Sequence, residues 1–95
     1  MAYVVNQTRR FLRQYKKLND NSANDVDEAV VQVAHNPHQG ERKRGDLSSL
    51  LVYKFTSGNQ LYLLGYSVDD ALLLVYLEAI GPHENFYRDI KRVKR

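Results

Sequence analysis

Residues 50–80 read LLVYKFTSGNQLYLLGYSVDDALLLVYLEAI, and this stretch decides the fold. It contains three runs rich in apolar and aromatic residues, which are 50–56, 60–68 and 71–80. The segments between the runs carry glycine, asparagine and aspartate, the residues that favour tight turns. Short apolar runs separated in this way are typical of strands joined by hairpin connections. The stretch therefore predicts a meander of three antiparallel strands, of which the third is the most buried.

Ahead of the meander, the spacing of apolar residues indicates one short strand and two helices. Residues 2–5 form an apolar run of strand type, and residues 8–18 repeat apolar side chains at helical spacing. Ser22 with Asp25 resembles a capping box, which predicts the start of a second helix. This helix ends before Pro37, because the residue that precedes a proline avoids helical backbone. The short turn between the two helices predicts an antiparallel helical hairpin.

After the meander, the chain returns to helical spacing. Gly81-Pro82 ends the third strand, and residues 84–93 place apolar side chains on one helical face. The element order is therefore β-α-α-β-β-β-α. This order predicts an α+β domain, a small antiparallel sheet with its helices on one face. The position of the first strand in the sheet does not follow from the spacing and stays open.

Length and composition limit the classes of protein. A chain of 95 residues predicts a single domain, residues 1–95, with a core large enough to fold alone. The absence of cysteine excludes a disulfide framework and thiolate chemistry. The first residues lack the apolar core of a secretory signal, and the longest apolar run, 71–77, is too short to span a bilayer. We therefore expect a cytoplasmic protein.

Basic residues are concentrated in three clusters, although the formal net charge is only +3. The clusters lie at 9–17, 42–44 and 88–95, and the intervening segment 19–36 is acidic, without lysine or arginine. Such a distribution suggests a surface that faces a polyanion such as a nucleic acid. A solvated helix face explains any single cluster better, whereas three clusters in so short a chain favour a nucleic-acid partner.

The segment GPHENFYR at residues 81–88 contains the first candidates for catalysis. His83 and Tyr87 are four residues apart and share a face if the helix begins near His83. Histidine readily exchanges protons near neutral pH, and a nearby cation such as Arg88 can stabilise a phosphorane-like transition state. A structural interpretation stays open, in which His83 caps the helix and Glu84 is placed by the helix dipole.

Lys54 is the second candidate, because it lies alone in the middle of a predicted strand. Alternation places Tyr53 and Phe55 on one face and Lys54 with Val52 on the other. A lone lysine at such a position either lines a cleft or extends its charge past the sheet edge. Basic residues lead into this strand and are expected to reach the same cleft, unless they lie in a solvated loop; they are Arg42, Lys43 and Arg44.

Metal and cofactor sites are not indicated. His35 and His38 flank a proline loop without a third ligand nearby, whereas structural zinc needs four ligands at regular spacing. There is no phosphate-binding glycine loop and no serine or cysteine nucleophile in a recognisable setting. We therefore expect neither a metal nor an organic cofactor.

Five motifs together carry a resemblance to a known family. They are RRFLRQYKKL at 9–18, NP…G at 36–40, GDL at 45–47, VYKF at 52–55 and GPHENFYR at 81–88. With these motifs and this element order, the chain resembles type II toxins of the RelE/ParE superfamily over nearly its full length.

The resemblance implies a fold, an activity and partners. RelE-like members bind in the ribosomal A site and cleave mRNA without a metal, and a cognate antitoxin wraps around the toxin. In YafQ- and YoeB-like mRNA interferases a C-terminal histidine and an aromatic residue act in the site, which implies His83 and Tyr87 here. Lys54 matches the basic residue of the first meander strand. We therefore expect a catalytic set of His83, Lys54, Tyr87 and Glu84, with RNA-binding or phosphate-binding roles for Arg42, Lys43, Arg44 and Arg88.

One departure from the pattern leaves an alternative open. RelE-like members carry an arginine in the second meander strand, whereas residues 60–66 here contain none. Lys54, together with the basic cluster at 42–44, would have to supply the positive charge. The ParE branch inhibits DNA gyrase without acid–base catalysis, so a non-enzymatic gyrase inhibitor is the alternative function. A non-toxic nucleic-acid-binding domain is a third possibility.

Overall fold

The computed structural model describes the backbone of residues 2–43 and 49–93, with side chains up to Arg88. Within these residues the predicted α+β class and the predicted order of helices and strands are confirmed, with one further short strand, β2, and a 3-10 turn at Pro37–Gln39. The elements are β1 (Val4–Gln7), α1 (Arg9–Lys16), α2 (Asp20–His35), β2 (Glu41–Arg42), β3 (Leu51–Ser57), β4 (Gln60–Asp69), β5 (Leu74–Pro82) and α3 (His83–Val93).

The strands form one sheet in the order β1-β5-β4-β3-β2. The predicted antiparallel meander of β3, β4 and β5 is confirmed, and β2 pairs antiparallel with β3. β1, however, pairs parallel with β5, with Val4 opposite Leu74, so the sheet is mixed rather than wholly antiparallel as predicted. β1 and β5 are far apart in the sequence, and parallel neighbours need a long connection. The spacing of apolar residues within each strand does not show that such a connection brings the two strands side by side.

The start of β5 differs from the prediction because residues 71–73 form a turn instead of strand. The carboxylate of Asp69 accepts a hydrogen bond from the backbone N–H of Leu72 at 3.1 Å. Leu73 has a φ of 55°, a left-handed conformation that a strand cannot contain. The side chain of Leu72 is 65% exposed. The apolar run 71–80 therefore begins in a turn, whereas the spacing of its residues predicts a strand throughout.

Both N-terminal helices begin at residues whose side chains accept backbone hydrogen bonds. The hydroxyl oxygen of Thr8 accepts from the N–H of Phe11 at 3.2 Å. Asn19 accepts from the N–H of Ser22 at 2.8 Å. The predicted capping box of Ser22 with Asp25 is therefore wrong, since the helix already begins at Asp20. Ser22 is instead buried and shares a hydrogen bond with Ser57 of β3.

Helices cover both faces of the sheet, so the prediction that they lie on one face is also wrong. The larger core lies between the sheet and the pair α1 and α2, and the smaller one lies under α3. Phe86 of α3 packs directly on Gly65 of β4, because a Cβ atom at Gly65 would stand only 2.6 Å from Cζ of the Phe86 ring. The spacing of apolar residues gives α3 an apolar face but not the side of the sheet that it covers. None of the described helices is long and apolar enough to cross a membrane.

Candidate functional site

The α3 face of the sheet carries a row of three paired residues, one on each of β3, β4 and β5. Lys54 lies on this face because Val52, two residues earlier, packs there beneath Phe86. Lys54 is opposite Leu63 of β4, which is opposite Gly81 of β5. Leu63 is fully buried, and a Cβ atom at Gly81 would meet nothing within 4 Å. The row is therefore a floor that spans roughly 10 Å from Lys54 to the strand that leads into α3.

Glu41 joins two lysines at one end of this floor. The short strand β2 places Glu41 opposite Val52, on the same face as Lys54. Its carboxylate oxygen Oε1 accepts a hydrogen bond from Lys43 Nζ at 3.0 Å and lies 3.5 Å from Lys54 Nζ. The hydrogen bond and charge of Lys43, followed by the charge of Lys54, lower the pKa of the Glu41 carboxyl. A shallow depression of about 330 Å³ adjoins this group along the sheet edge, lined by Gln39, Glu41, Val52, Tyr53 and Lys54.

Lys43 connects this group to α3. Its ammonium nitrogen lies 5.2 Å from the centroid of the Tyr87 ring, within the range of a cation–π interaction. The side chain of Tyr87 raises the pKa of Lys43, burial opposes this effect, and the hydrogen bond with Glu41 adds to it. Lys43 is therefore a cation at neutral pH.

The predicted proximity of His83 and Tyr87 is confirmed. α3 begins at His83, and the two rings meet edge to face with centroids 6.3 Å apart and planes at 88°. Tyr87 also meets Phe86 edge to face at 5.1 Å, which anchors it to the smaller core. His83 itself is exposed. A continuous series of contacts therefore joins the exposed imidazole of His83 to the ammonium groups of Lys43 and Lys54. Tyr87 lies between His83 and Lys43, and Glu41 lies between the two lysines.

Comparisons with known proteins identify the family. The family model described as "ParE-like toxin of type II bacterial toxin-antitoxin system" matches residues 5–91. This chain is a ParE-like toxin. A comparison with curated protein sequences finds no significant match.

Solved structures place the toxin's fold within the RelE/ParE superfamily. It is similar to a chain of the RelBE2 toxin–antitoxin complex from Mycobacterium tuberculosis, with a TM-score of 0.78, 21% identity, and coverage of 87% of this chain and 100% of that one. A mutant of E. coli RelE in which two arginines are replaced by alanine, solved in the free state, gives a TM-score of 0.77 at 25% identity. The similarity covers 100% of this chain and 98% of that one. A chain of the intact E. coli RelBE complex gives a TM-score of 0.70 at 24% identity, and the similarity covers 84% of this chain and 95% of that one.

The remaining predicted site residues of the toxin are not all brought together. Arg88 is exposed on α3, where its Nη2 donates to Oδ1 of Asn85 at 3.0 Å. Glu84 is exposed in the first turn of α3. Arg44 lies outside the described residues.

Arg42 lies away from the lysines of the toxin. It is opposite Leu51, whose side chain packs in the larger core, so Arg42 belongs to the opposite face from Lys54. Consistent with this position, the pKa of the Asp70 carboxyl is lowered by hydrogen bonds from Tyr3 and His38 and, more weakly, by the charge of Arg42. The structure therefore separates Arg42 from Lys43 and Lys54, although they are close in sequence.

Glu41 is the member of this group that the sequence analysis did not predict. Residues 38–49 read as a polar loop, in which no alternation of faces is expected. The two-residue strand β2 imposes that alternation and places Glu41 and Lys43 on one side. The pair Glu41 and Lys43, two residues apart, is the only signal in the sequence, and it is weak because loops contain many such pairs.

Proposed function

We propose that this toxin is a metal-independent, ribosome-dependent endoribonuclease, an mRNA interferase that inhibits translation. The observation that carries the proposal is the series of contacts that joins His83 to the ammonium groups of Lys43 and Lys54 on the α3 face. Proton transfer and stabilisation of negative charge are the two requirements of metal-free RNA cleavage, and this group offers side chains for both.

The proposed reaction is attack of a ribose 2′-hydroxyl on the adjacent phosphate. The new P–O2′ bond forms as the P–O5′ bond breaks, which leaves a 2′,3′-cyclic phosphate and a 5′-hydroxyl end. The 2′-hydroxyl loses a proton to a general base, and the departing 5′-oxygen gains one from a general acid. His83, exposed at the start of α3, is assigned one of these two transfers.

The lysines and the tyrosine support this reaction. Lys54 and Lys43 are assigned to the phosphate, where their charges offset the negative charge that grows on the non-bridging oxygens. Tyr87 is assigned to orienting or stacking a base, since unpaired RNA bases stack on aromatic side chains. Glu84 is assigned an auxiliary role because it is adjacent to His83, although no described contact joins it to the lysines. Arg88 and Arg44 are assigned to the RNA backbone, whereas the position of Arg42 on the opposite face argues against a role at the scissile phosphate.

The proposal includes three partners, which are mRNA, the ribosomal A site and a cognate antitoxin. Similarity to chains of toxin–antitoxin complexes supports the antitoxin. The basic character of the chain, with a sequence pI of about 9.3, supports contact with RNA. An acidic or amphipathic helical segment is the form of antitoxin that suits these surfaces.

The test is to induce the wild-type toxin in bacterial cells and to map the 5′ ends of mRNA by primer extension. We expect new cuts within translated codons, which disappear with His83→Ala. His35→Ala is the matched control, because His35 is also exposed but lies at the end of α2. Cuts that persist in His83→Ala would remove His83 from the mechanism.

A second candidate function is non-enzymatic inhibition of DNA gyrase. Two observations favour it, the ParE-like description of the matching family and the absence of arginine from β4. Growth arrest with intact mRNA, together with inhibition of gyrase supercoiling by the purified toxin, would support this function over RNA cleavage.

A further inference from the structure

The contact of Glu41 with two lysines has the geometry of a bound anion. A single carboxylate oxygen lies 3.0 Å from Lys43 Nζ and 3.5 Å from Lys54 Nζ. Lysine ammonium groups bind phosphate oxygens through the same combination of charge and hydrogen bonding. We propose that the Glu41 carboxylate occupies a phosphate position in the free toxin and that an RNA phosphate displaces it on binding.

The position of Glu41 makes this displacement feasible. Its side chain is 59% exposed and that of Lys54 is 50% exposed, so the ion pair stands in water rather than in the core. Exposed ion pairs contribute little to stability, because water screens the charges and the side chains lose freedom. A polyanion that brings several phosphates can replace a single carboxylate at that cost.

The negative charge of Glu41 also offsets the repulsion between the two lysine ammonium groups. Without an anion between them, the two ammonium groups would repel, and their flexible side chains would separate. The carboxylate keeps both charges at the floor, and Tyr87 holds Lys43 from the side of α3. The carboxylate therefore neutralises one of the two lysine charges until a phosphate replaces it, and competition with the phosphate is its larger effect on binding.

The inference rests on the proposed function for the nature of its ligand, so the test measures binding rather than cleavage. The probe is a short single-stranded RNA whose 2′-hydroxyls are methylated, which cannot undergo the reaction. Its affinity for the wild-type toxin is compared with that for Glu41→Gln at low ionic strength. The matched control is Glu28→Gln, which makes the same change in net charge at an exposed residue of α2, across the sheet from the lysines.

Removal of the competing carboxylate is expected to tighten RNA binding by about two- to fivefold, the range of an exposed ion pair. Glu28→Gln is expected to have a much smaller effect, because Glu28 lies on α2, on the other face of the sheet, and the Coulomb energy falls with distance. The gain from Glu41→Gln is expected to disappear in a background that carries both Lys43→Gln and Lys54→Gln, since the carboxylate acts through these two lysines. If Glu41→Gln binds RNA no more tightly than Glu28→Gln, Glu41 does not occupy a phosphate position.

A second probe, inorganic polyphosphate, separates this inference from the proposed function. If neither variant nor wild type binds RNA, tighter binding of polyphosphate by Glu41→Gln alone would still support the anion position, and the nuclease would be the part that fails. If the wild type cleaves mRNA but Glu41→Gln and Glu28→Gln bind both probes equally, the nuclease stands and the inference is overturned.

Discussion

The two faces of the single sheet differ in what they bury. On the α1–α2 face, large side chains such as Phe11, Leu64 and Tyr66 are at most 1% exposed. On the α3 face, the core is smaller, and the charged residues Lys54 and Glu41 lie at its margin. The difference arises because α3 is one helix that covers part of its face, whereas two helices cover the other. One face therefore supplies most of the stability, and the other leaves charges where a polyanion can reach them.

The largest expected effect on this comparison comes from Leu64→Ala. Leu64 is fully buried in the larger core, so its truncation removes apolar contacts and leaves a cavity. We expect the free energy of unfolding to fall by about 2–5 kcal/mol, measured by urea denaturation. RNA binding by the fraction that remains folded at low temperature should be retained. A loss below about 0.5 kcal/mol, the range of surface substitutions, would mean that the α1–α2 face does not dominate stability.

Lys54→Ala is expected to have the opposite profile. Lys54 is 50% exposed, and we expect its loss to change the free energy of unfolding by less than about 0.5 kcal/mol. If Lys54 stabilises the transition state, cleavage of mRNA in a ribosome-programmed assay should fall by about 100- to 1000-fold. Lys17→Ala is the control, because Lys17 is an exposed lysine at the end of α1. Equal activities of the two variants would exclude Lys54 from the site.

Two glycines on the α3 face should respond differently to a methyl group. At Gly65 a Cβ atom would lie 2.6 Å from Cζ of Phe86, so Gly65→Ala must displace the ring or α3. We expect a loss of about 1–3 kcal/mol in the free energy of unfolding. At Gly81 a Cβ atom meets nothing within 4 Å, and Gly81→Ala should be nearly neutral. Equal losses in thermal denaturation of the two variants would contradict the seating of Phe86 on Gly65.

A smaller effect is expected from Tyr66→Phe on the α1–α2 face. The buried hydroxyl of Tyr66 donates to the carbonyl oxygen of Pro37 at 2.6 Å and so ties the 3-10 turn to β4. Loss of one such hydrogen bond should lower the free energy of unfolding by about 0.5–1.5 kcal/mol. Tyr76→Phe, at a half-buried position of β5, is the comparison. Hydrogen exchange should also accelerate near Pro37 in Tyr66→Phe alone, and unchanged exchange there would contradict this role.

The smallest effect concerns pH. Hydrogen bonds from Tyr3 and His38 lower the pKa of the Asp70 carboxyl below its ordinary value of 3.8. A lowered pKa in the folded state gives stability that is present above pH 3.8 and is lost as the pH falls through the folded value. Asp70→Asn should therefore lose a small amount of stability at neutral pH and show a weaker dependence below about pH 4. Parallel pH profiles of thermal unfolding for the two proteins would contradict this contribution.

The sequence by itself determined the parts of this protein that depend on near neighbours. The three-stranded meander follows from apolar runs separated by turn residues, and the end of α2 follows from Pro37. His83 and Tyr87 meet because four residues span about one helical turn. At the start of α2 even a short-range prediction was wrong, because Asn19 is the cap whereas Ser22 is buried and hydrogen-bonds to Ser57 of β3.

Only the tertiary structure decided the features that join distant residues. The parallel pairing of β1 with β5 and the choice of face for α3 depend on how the whole chain returns to the sheet. The meeting of Glu41 with Lys54 depends on a strand of two residues, too short to leave a periodic signal. Hydrophobic spacing records which side of an element is apolar, whereas the partner of that side is chosen by packing over the entire molecule.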